Sequence, residues 1–265
     1  MPPPSPKPII VWFRNDLRLS DHPALHAAAQ SGQPVICLYV LDEDSAPLRP
    51  PRGRPIGSAS RWWLAQSLRS LDQSLKALGT SLVLRRGDTA SVIAEIARQA
   101  NASAVHWIES DIAGPAAAER DVARALGDIG ATARSFPSDL LVRPASLRNK
   151  EGRGLRVFTP FWKRVLSLGD PPRPLPAPKV LKPGPPIETD DLASWSLEPA
   201  HPDWAAGLRE TWTPGESGAQ ARLTGFLENS IAGYATLRDR PDRDGTSRLS
   251  PHLRFGEISP RQVWH

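Results

Sequence analysis

Five short apolar runs, alternating with helix-patterned stretches, govern how residues 9–136 can fold. The first, Ile9-Ile10-Val11-Trp12-Phe13-Arg14, is continuous instead of alternating, as expected of a strand buried on both faces. Residues 35–40, 81–85, 104–108 and, more weakly, 132–136 repeat the pattern. Between them, Asp21 is predicted to cap a helix that has Pro23 in its first turn and runs to residue 29. The strongest helix is predicted over 58–78, where Trp62, Ala65, Leu68, Leu71, Leu75 and Leu78 recur at three and four, with Gly79 as stop signal. Asp88 or Thr89 opens a further helix over 90–99, and an Ala-rich helix follows at 115–126. Strand and helix in alternation predict an α/β fold with a Rossmann-like, five-stranded parallel sheet covered on both faces. No Gly-x-Gly-x-x-Gly follows the first run and no Gly-Lys-Ser/Thr loop occurs, so a classical dinucleotide fold or a nucleotide triphosphatase is unsupported.

Composition narrows the function classes. The 265 residues include 33 Lys and Arg against 28 Asp and Glu, a net charge of +5. That balance is compatible with a nucleic-acid partner without requiring one. One cysteine, Cys37, sits inside an apolar run; it is expected to be a small buried hydrophobe, and alone it forms no disulfide framework or zinc ligand set. Residues 1–8 read as a disordered, proline-rich tail without the apolar segment of a signal peptide, and no apolar run is long enough to span a membrane. A soluble, cytoplasmic, monomeric protein without a metal site is expected. Nine tryptophans against two tyrosines are expected to serve mostly in core packing, Trp264 included.

Beyond the sheet the chain changes character. Between residues 143 and 164, Arg143, Arg148, Lys150, Arg153, Arg156, Lys163 and Arg164 face a single acid, Glu151. A solvated loop explains such a run; a phosphate-facing rim also does. Phe158-Thr159-Pro160-Phe161-Trp162 predicts an aromatic anchor leading into a short helix. Residues 170–186 hold eight prolines, a stiff extended connection free to wrap the first domain. Trp195, Trp204 and Trp212 are expected to clamp an irregular stretch onto a packed surface. A helix over 216–229, with Ala219, Leu223, Phe226 and Leu227 on one face, and another opened by Pro260 complete the chain, with Gly233 ending or bending the helical region. The predicted organisation is a tail at 1–8, an α/β core at 9–136, a basic and proline-rich connection at 137–215, and the start of a helical domain at 216–265.

Chemistry concentrates in Gly245-Thr246-Ser247-Arg248-Leu249-Ser250-Pro251. Hydroxyls and backbone amides at a helix mouth donate to phosphate where the helix dipole favours negative charge. A helix cap accounts for a Thr-Ser pair equally well.

Longer motifs bear on that choice. Val11 through Asn15-Asp16-Leu17-Arg18-Leu19-Ser20-Asp21-His22-Pro23-Ala24-Leu25 strongly resembles the amino-terminal signature of the DNA photolyase and cryptochrome family. Ser60-Arg61-Trp62-Trp63-Leu64, Phe158-Thr159-Pro160-Phe161-Trp162, and the stretch from Tyr234 through Arg238-Asp239 to Pro251 fit it too. In wording the motifs look like a class I bacterial cyclobutane pyrimidine dimer photolyase. The resemblance implies an antenna domain, a long interdomain connection, and a helical domain that holds FAD. It implies FAD contacts at Tyr234, Thr246, Ser247, Arg248, Leu249 and Ser250, and a DNA-phosphate contact at Arg238. It implies light-driven repair of UV-damaged DNA by electron transfer from reduced FAD; a cryptochrome-like blue-light receptor that binds FAD without repair is the alternative. The catalytic residues that the family implies are expected beyond His265, so this chain is expected to be a fragment lacking much of the active site. The segment from Trp107 to Asp121 lacks the asparagine common in the family's antenna loop, so methenyltetrahydrofolate, 8-hydroxy-5-deazaflavin and no antenna all stay open.

Overall fold

A computed structural model describes residues 6–43, 45, 48, 55–137, 140–149 and 151–265. Residues 1–5 of the proline-rich tail and Lys150 of the basic run lie outside the described residues. Strands β1 (Ile9–Phe13), β2 (Val35–Leu41), β3 (Leu82–Arg86), β4 (Ala104–Ile108) and β5 (Thr132–Phe136) form one parallel sheet in the order β3-β2-β1-β4-β5. β1 lies at the centre, which is why its run is unbroken: all five residues are buried. Alternate side chains feed two cores. Ile9, Val11 and Phe13 pack with α1 (Pro23–Gln30) and α2 (Ser58–Ala77); Ile10 and Trp12 pack with α3 (Thr89–Gln99) and α4 (Ala113–Gly127). β5 is polar and largely exposed because it is an edge with little to cover it. Cys37 is fully buried in the first core, and burial pushes its thiol far above the ordinary range.

The proline-rich segment is a strap on this sheet. Lys182 O accepts from Val35 N at 2.8 Å, Gly184 N donates to Val35 O at 3.0 Å, and Leu181 N donates to Leu78 O at 3.0 Å. Prolines have no amide to give, so the bonds fall on the residues between them.

Helices α5 (Phe158–Leu166), α6 (Ala206–Thr211), α7 (Glu216–Asn229), α8 (Tyr234–Leu237), α9 (Ser250–Phe255) and α10 (Pro260–Trp264) follow. Four expectations need correcting. Asp21 does not cap α1; it sits at φ 52° and His22 Nδ1 takes the cap bond, accepting from Leu25 N at 3.1 Å. The aromatic anchor at 158–162 is not buried: Phe158 is 73% exposed and stacks on Trp162 instead of on the sheet. Trp195 is buried and Trp212 packs on Trp63 at 5.4 Å, but Trp204 is exposed. Trp264 is also exposed, whereas Trp12, Trp62, Trp63, Trp107 and Trp195 are core residues. The helical stretch from 216 ends at Asn229, and Gly233 falls between a 3-10 turn and α8.

The turn after β1 holds these helices to the sheet. Leu17 N donates to Phe255 O at 3.1 Å. Arg18, fully buried, donates to Gly256 O at 2.9 Å, Asp21 O at 2.8 Å and Ser20 O at 3.0 Å. Leu19 N and Ser20 N donate to the carboxylate of Glu216 at 2.7 and 3.0 Å. Asp21, freed from capping, receives Ser259 Oγ, Arg261 Nε at 2.9 Å and Leu175 N at 3.0 Å. Residues 15–21 thus tie the sheet, the strap and helices α7, α9 and α10 together.

This junction is acid-sensitive. Burial by itself would raise the Asp21 carboxyl, but the donors Arg261, Ser259 and Leu175 outweigh it and hold the group below the usual carboxylate range. Asp16 behaves likewise, burial being outweighed by His22 and the Arg14 amide. A folded value below the unfolded one stabilises above about pH 4, and that contribution is lost as pH falls through the folded value. Urea midpoints are therefore expected to drop steeply below about pH 4, and less steeply in Asp21→Asn, which starts from a lower midpoint at neutrality. Parallel midpoint-versus-pH curves for the two proteins would contradict this assignment.

Candidate functional site

The hydroxyl run lies on a cleft of ≈ 510 Å³ between α7 and the loop before α9. One wall is α7's narrow face: Ser217, Gly218, Ala221 and Gly225, spaced so that they share one side of the helix. Gly218 is required there, since a Cβ would stand 1.7 Å from Thr213 O. The other wall carries Asp244, Thr246, Ser247 and His252. Arg222 enters from α7, its guanidinium 5.0 Å from the Trp212 ring and donating to Thr211 O at 3.2 Å.

Thr246 and Ser247 are thus brought together on the cleft, and their hydroxyls have no hydrogen-bond partner among the described residues. The capping alternative fails here: α9 starts after Leu249 with no side-chain cap bond. The remaining predicted residues are placed differently. Arg248, at φ 51°, turns to Asp244 at 3.0 Å. Leu249 is buried with Ala219, Leu223 and Ile258 in a small core that fixes the run to α7. Ser250 is exposed at the first position of α9. Tyr234 stands edge-on to Phe226, a cleft residue, at 5.7 Å between ring centres. Arg238 is exposed, near Asp239 at 3.5 Å and 6.0 Å from the Tyr234 ring. Sequence reasoning missed Ser217, Arg222, Asn229 and His252; the repeat of small residues at 217, 221 and 225 was the available signal for this face.

Elsewhere, Arg143 of the basic run is neutralised by Glu109 at 2.6 Å and Asp111 at 3.4 Å. Arg153, Arg156, Lys163 and Arg164 are exposed and pair with no acid among the described residues. Among those residues no group of His, Cys, Asp or Glu is arranged to hold a metal ion, and no helix is long and apolar enough to cross a membrane.

A family model described as DNA photolyase matches residues 9–179, which includes the whole sheet, the signature turn and part of the strap. The chain belongs to the DNA photolyase family. It is 40% identical over 264 residues to a deoxyribodipyrimidine photo-lyase of Agrobacterium fabrum, covering 97% of this chain and 52% of that one. It is 37% identical to Cryptochrome-1 of Arabidopsis thaliana, covering 97% of this chain and 37% of the relative. The crystal structure of a bacterial class III photolyase from Agrobacterium tumefaciens superposes with a TM-score of 0.90 at 40% identity, over 98% of this chain and 52% of that one. The chain of this photolyase-family member therefore spans about half the length of these relatives or less. The solved relative is of class III, whereas the motifs in wording resemble the class I type; the stretches carrying the resemblance lie in the half that all three matches share.

Proposed function

We propose that the cleft between α7 and residues 244–252 is the phosphate end of an FAD site in a light-driven DNA-repair flavoprotein acting on UV-damaged DNA. The observation that carries the reading is the pair of unpartnered hydroxyls, Thr246 and Ser247, on a cleft that Arg222 also lines. Two hydroxyl donors and a planar cation are what a diphosphate takes. The narrow, side-chain-poor face of α7 leaves room for the ligand's backbone. FAD, when bound, supplies the light absorption and the electron; the protein supplies position and electrostatics. Thr246 and Ser247 donate to the phosphates, Arg222 balances their charge, and Tyr234 borders the site through Phe226. Arg238 and the unpaired cations Arg153, Arg156, Lys163 and Arg164 attract the DNA backbone without reading sequence. Binding to damaged DNA is accordingly expected to weaken steeply with salt.

Replacing both Thr246 and Ser247 by Ala is expected to weaken FAD binding by about tenfold or more, from two lost donors at roughly 1 kcal/mol each. Equilibrium dialysis with FAD checks this, and wild-type affinity in the double variant would remove the hydroxyls from the site. The 37% identity to a plant cryptochrome favours a second reading, a blue-light receptor. Blue-light illumination with dimer-containing DNA separates the two: loss of dimers supports repair, and flavin photoreduction with dimers intact supports the receptor.

A further inference from the structure

His252 is 1% exposed, yet it lines the cleft. Its Nδ1 lies 2.5 Å from Glu257 Oε2. Glu257 is fully buried, and its other oxygen receives Trp63 Nε1 at 3.0 Å and Ser67 Oγ. A carboxylate supplied with these donors places the ring proton on Nδ1 and fixes the orientation of the imidazole. Trp63 at 5.1 Å and Trp212 at 6.3 Å hold the ring between them. Nε2 is left with no partner among the described residues. Burying an ionisable pair this deeply is costly, and Nε2, though without a partner among the described residues, is not sealed away: the residue lines the cleft. Tying α9 to α2 needs only the Nδ1 side of the ring.

We infer that His252 is a ligand-contacting residue of the cleft, with Nε2 directed at a phosphate oxygen of the bound ligand. The inference rests on the flavin-phosphate reading above. A phosphate oxygen accepts only from a protonated Nε2, so the proposed contact is one made by the ring with both nitrogens donating, Nδ1–H to Glu257 and Nε2–H to the ligand. The charged groups facing this centre are Glu257 after α9, Arg222 on α7, and Asp244, itself paired with Arg248; α2 presents the neutral Trp63 and Ser67, and the segment before α7 presents Trp212.

The test uses the 265-residue chain with nitrogen-15 histidine, titrated with ADP at neutral pH and followed by long-range proton–nitrogen correlation. Of the six histidines, the ring assigned to His252 is expected to show its Nε2 signal shifting as ADP saturates, with both nitrogens protonated in the complex. His252→Asn keeps an amide donor for Glu257 at the Nδ1 position but has nothing at Nε2. It loses the ring packed between Trp63 and Trp212, so it is expected to melt below the wild type, and to bind ADP about tenfold more weakly, the loss of one charge-assisted bond. Wild-type ADP affinity in His252→Asn overturns the inference. So does saturation of the wild type with no change in the His252 signals, a readout that needs no folded variant. If the wild type binds FAD but either of those results is found, the inference alone falls. If it binds neither FAD nor ADP, the flavin reading falls first and takes the inference with it.

Discussion

Gly256→Ala is expected to destabilise the chain by about 3 kcal/mol or more. Gly256 ends α9 at φ 65°, where an L side chain is strained. Space makes the strain worse. A Cβ would stand 2.0 Å from Asn15 O and 2.5 Å from Asp16 Cα, both backbone atoms that cannot swing aside. Relief requires the end of α9 to lift away from the turn after β1. That movement breaks the bond from Leu17 N to Phe255 O and the bond from Arg18 to Gly256 O. The loss should appear in the urea midpoint and as faster amide exchange in α9 and α10, with β1 and β4 still protected. A midpoint shift under about 0.5 kcal/mol would show that the contact is looser than described.

Arg18→Met attacks the same junction from the other side. Met roughly fills the space of the aliphatic stem but donates nothing. The carbonyls of Ser20, Asp21 and Gly256 are then left inside without their donor. At roughly 1–3 kcal/mol for each unsatisfied buried group, partly relieved by relaxation, a loss of about 4 kcal/mol is expected. Arg18→Lys should recover only part of it, because one ammonium cannot reach three carbonyls in the plane of a guanidinium fork. Thermal unfolding of the three proteins checks the order: wild type, then Lys, then Met. Equal midpoints for Lys and Arg would mean that charge rather than geometry holds the junction.

These two residues show why the signature turn was legible as a motif but not as a device. Its spelling identified the family, yet nothing in the order of residues 15–21 says that their partners lie two hundred positions away. Asp21 was misread for the same reason. Asp ahead of His-Pro-Ala-Leu reads as a good local cap, and local rules see only neighbours, whereas the structure gives the cap bond to His22 and gives Asp21 the partners Leu175, Ser259 and Arg261. The sheet was readable because strand and helix periodicities are local: β4 and β5 fall at 104–108 and 132–136 as expected. A short helix was expected after the aromatic residues at 158–162, but it already starts at Phe158; burial depends on what lies opposite, and among the described residues α5 buries none of its side chains. The cleft was half legible. Thr246 and Ser247 stood out by chemistry; Arg222 and His252 look ordinary in sequence and acquire meaning only when α7 is laid beside the run.

Whether this cleft takes the diphosphate of a flavin dinucleotide is decided by a crystal structure of the chain grown with ADP or FAD. The diphosphate is expected within hydrogen-bond distance of Thr246 Oγ1 and Ser247 Oγ, with Arg222 alongside and α7's Gly218–Gly225 face against the ligand. A dinucleotide bound elsewhere, with the Thr246 and Ser247 hydroxyls facing only water, would contradict it.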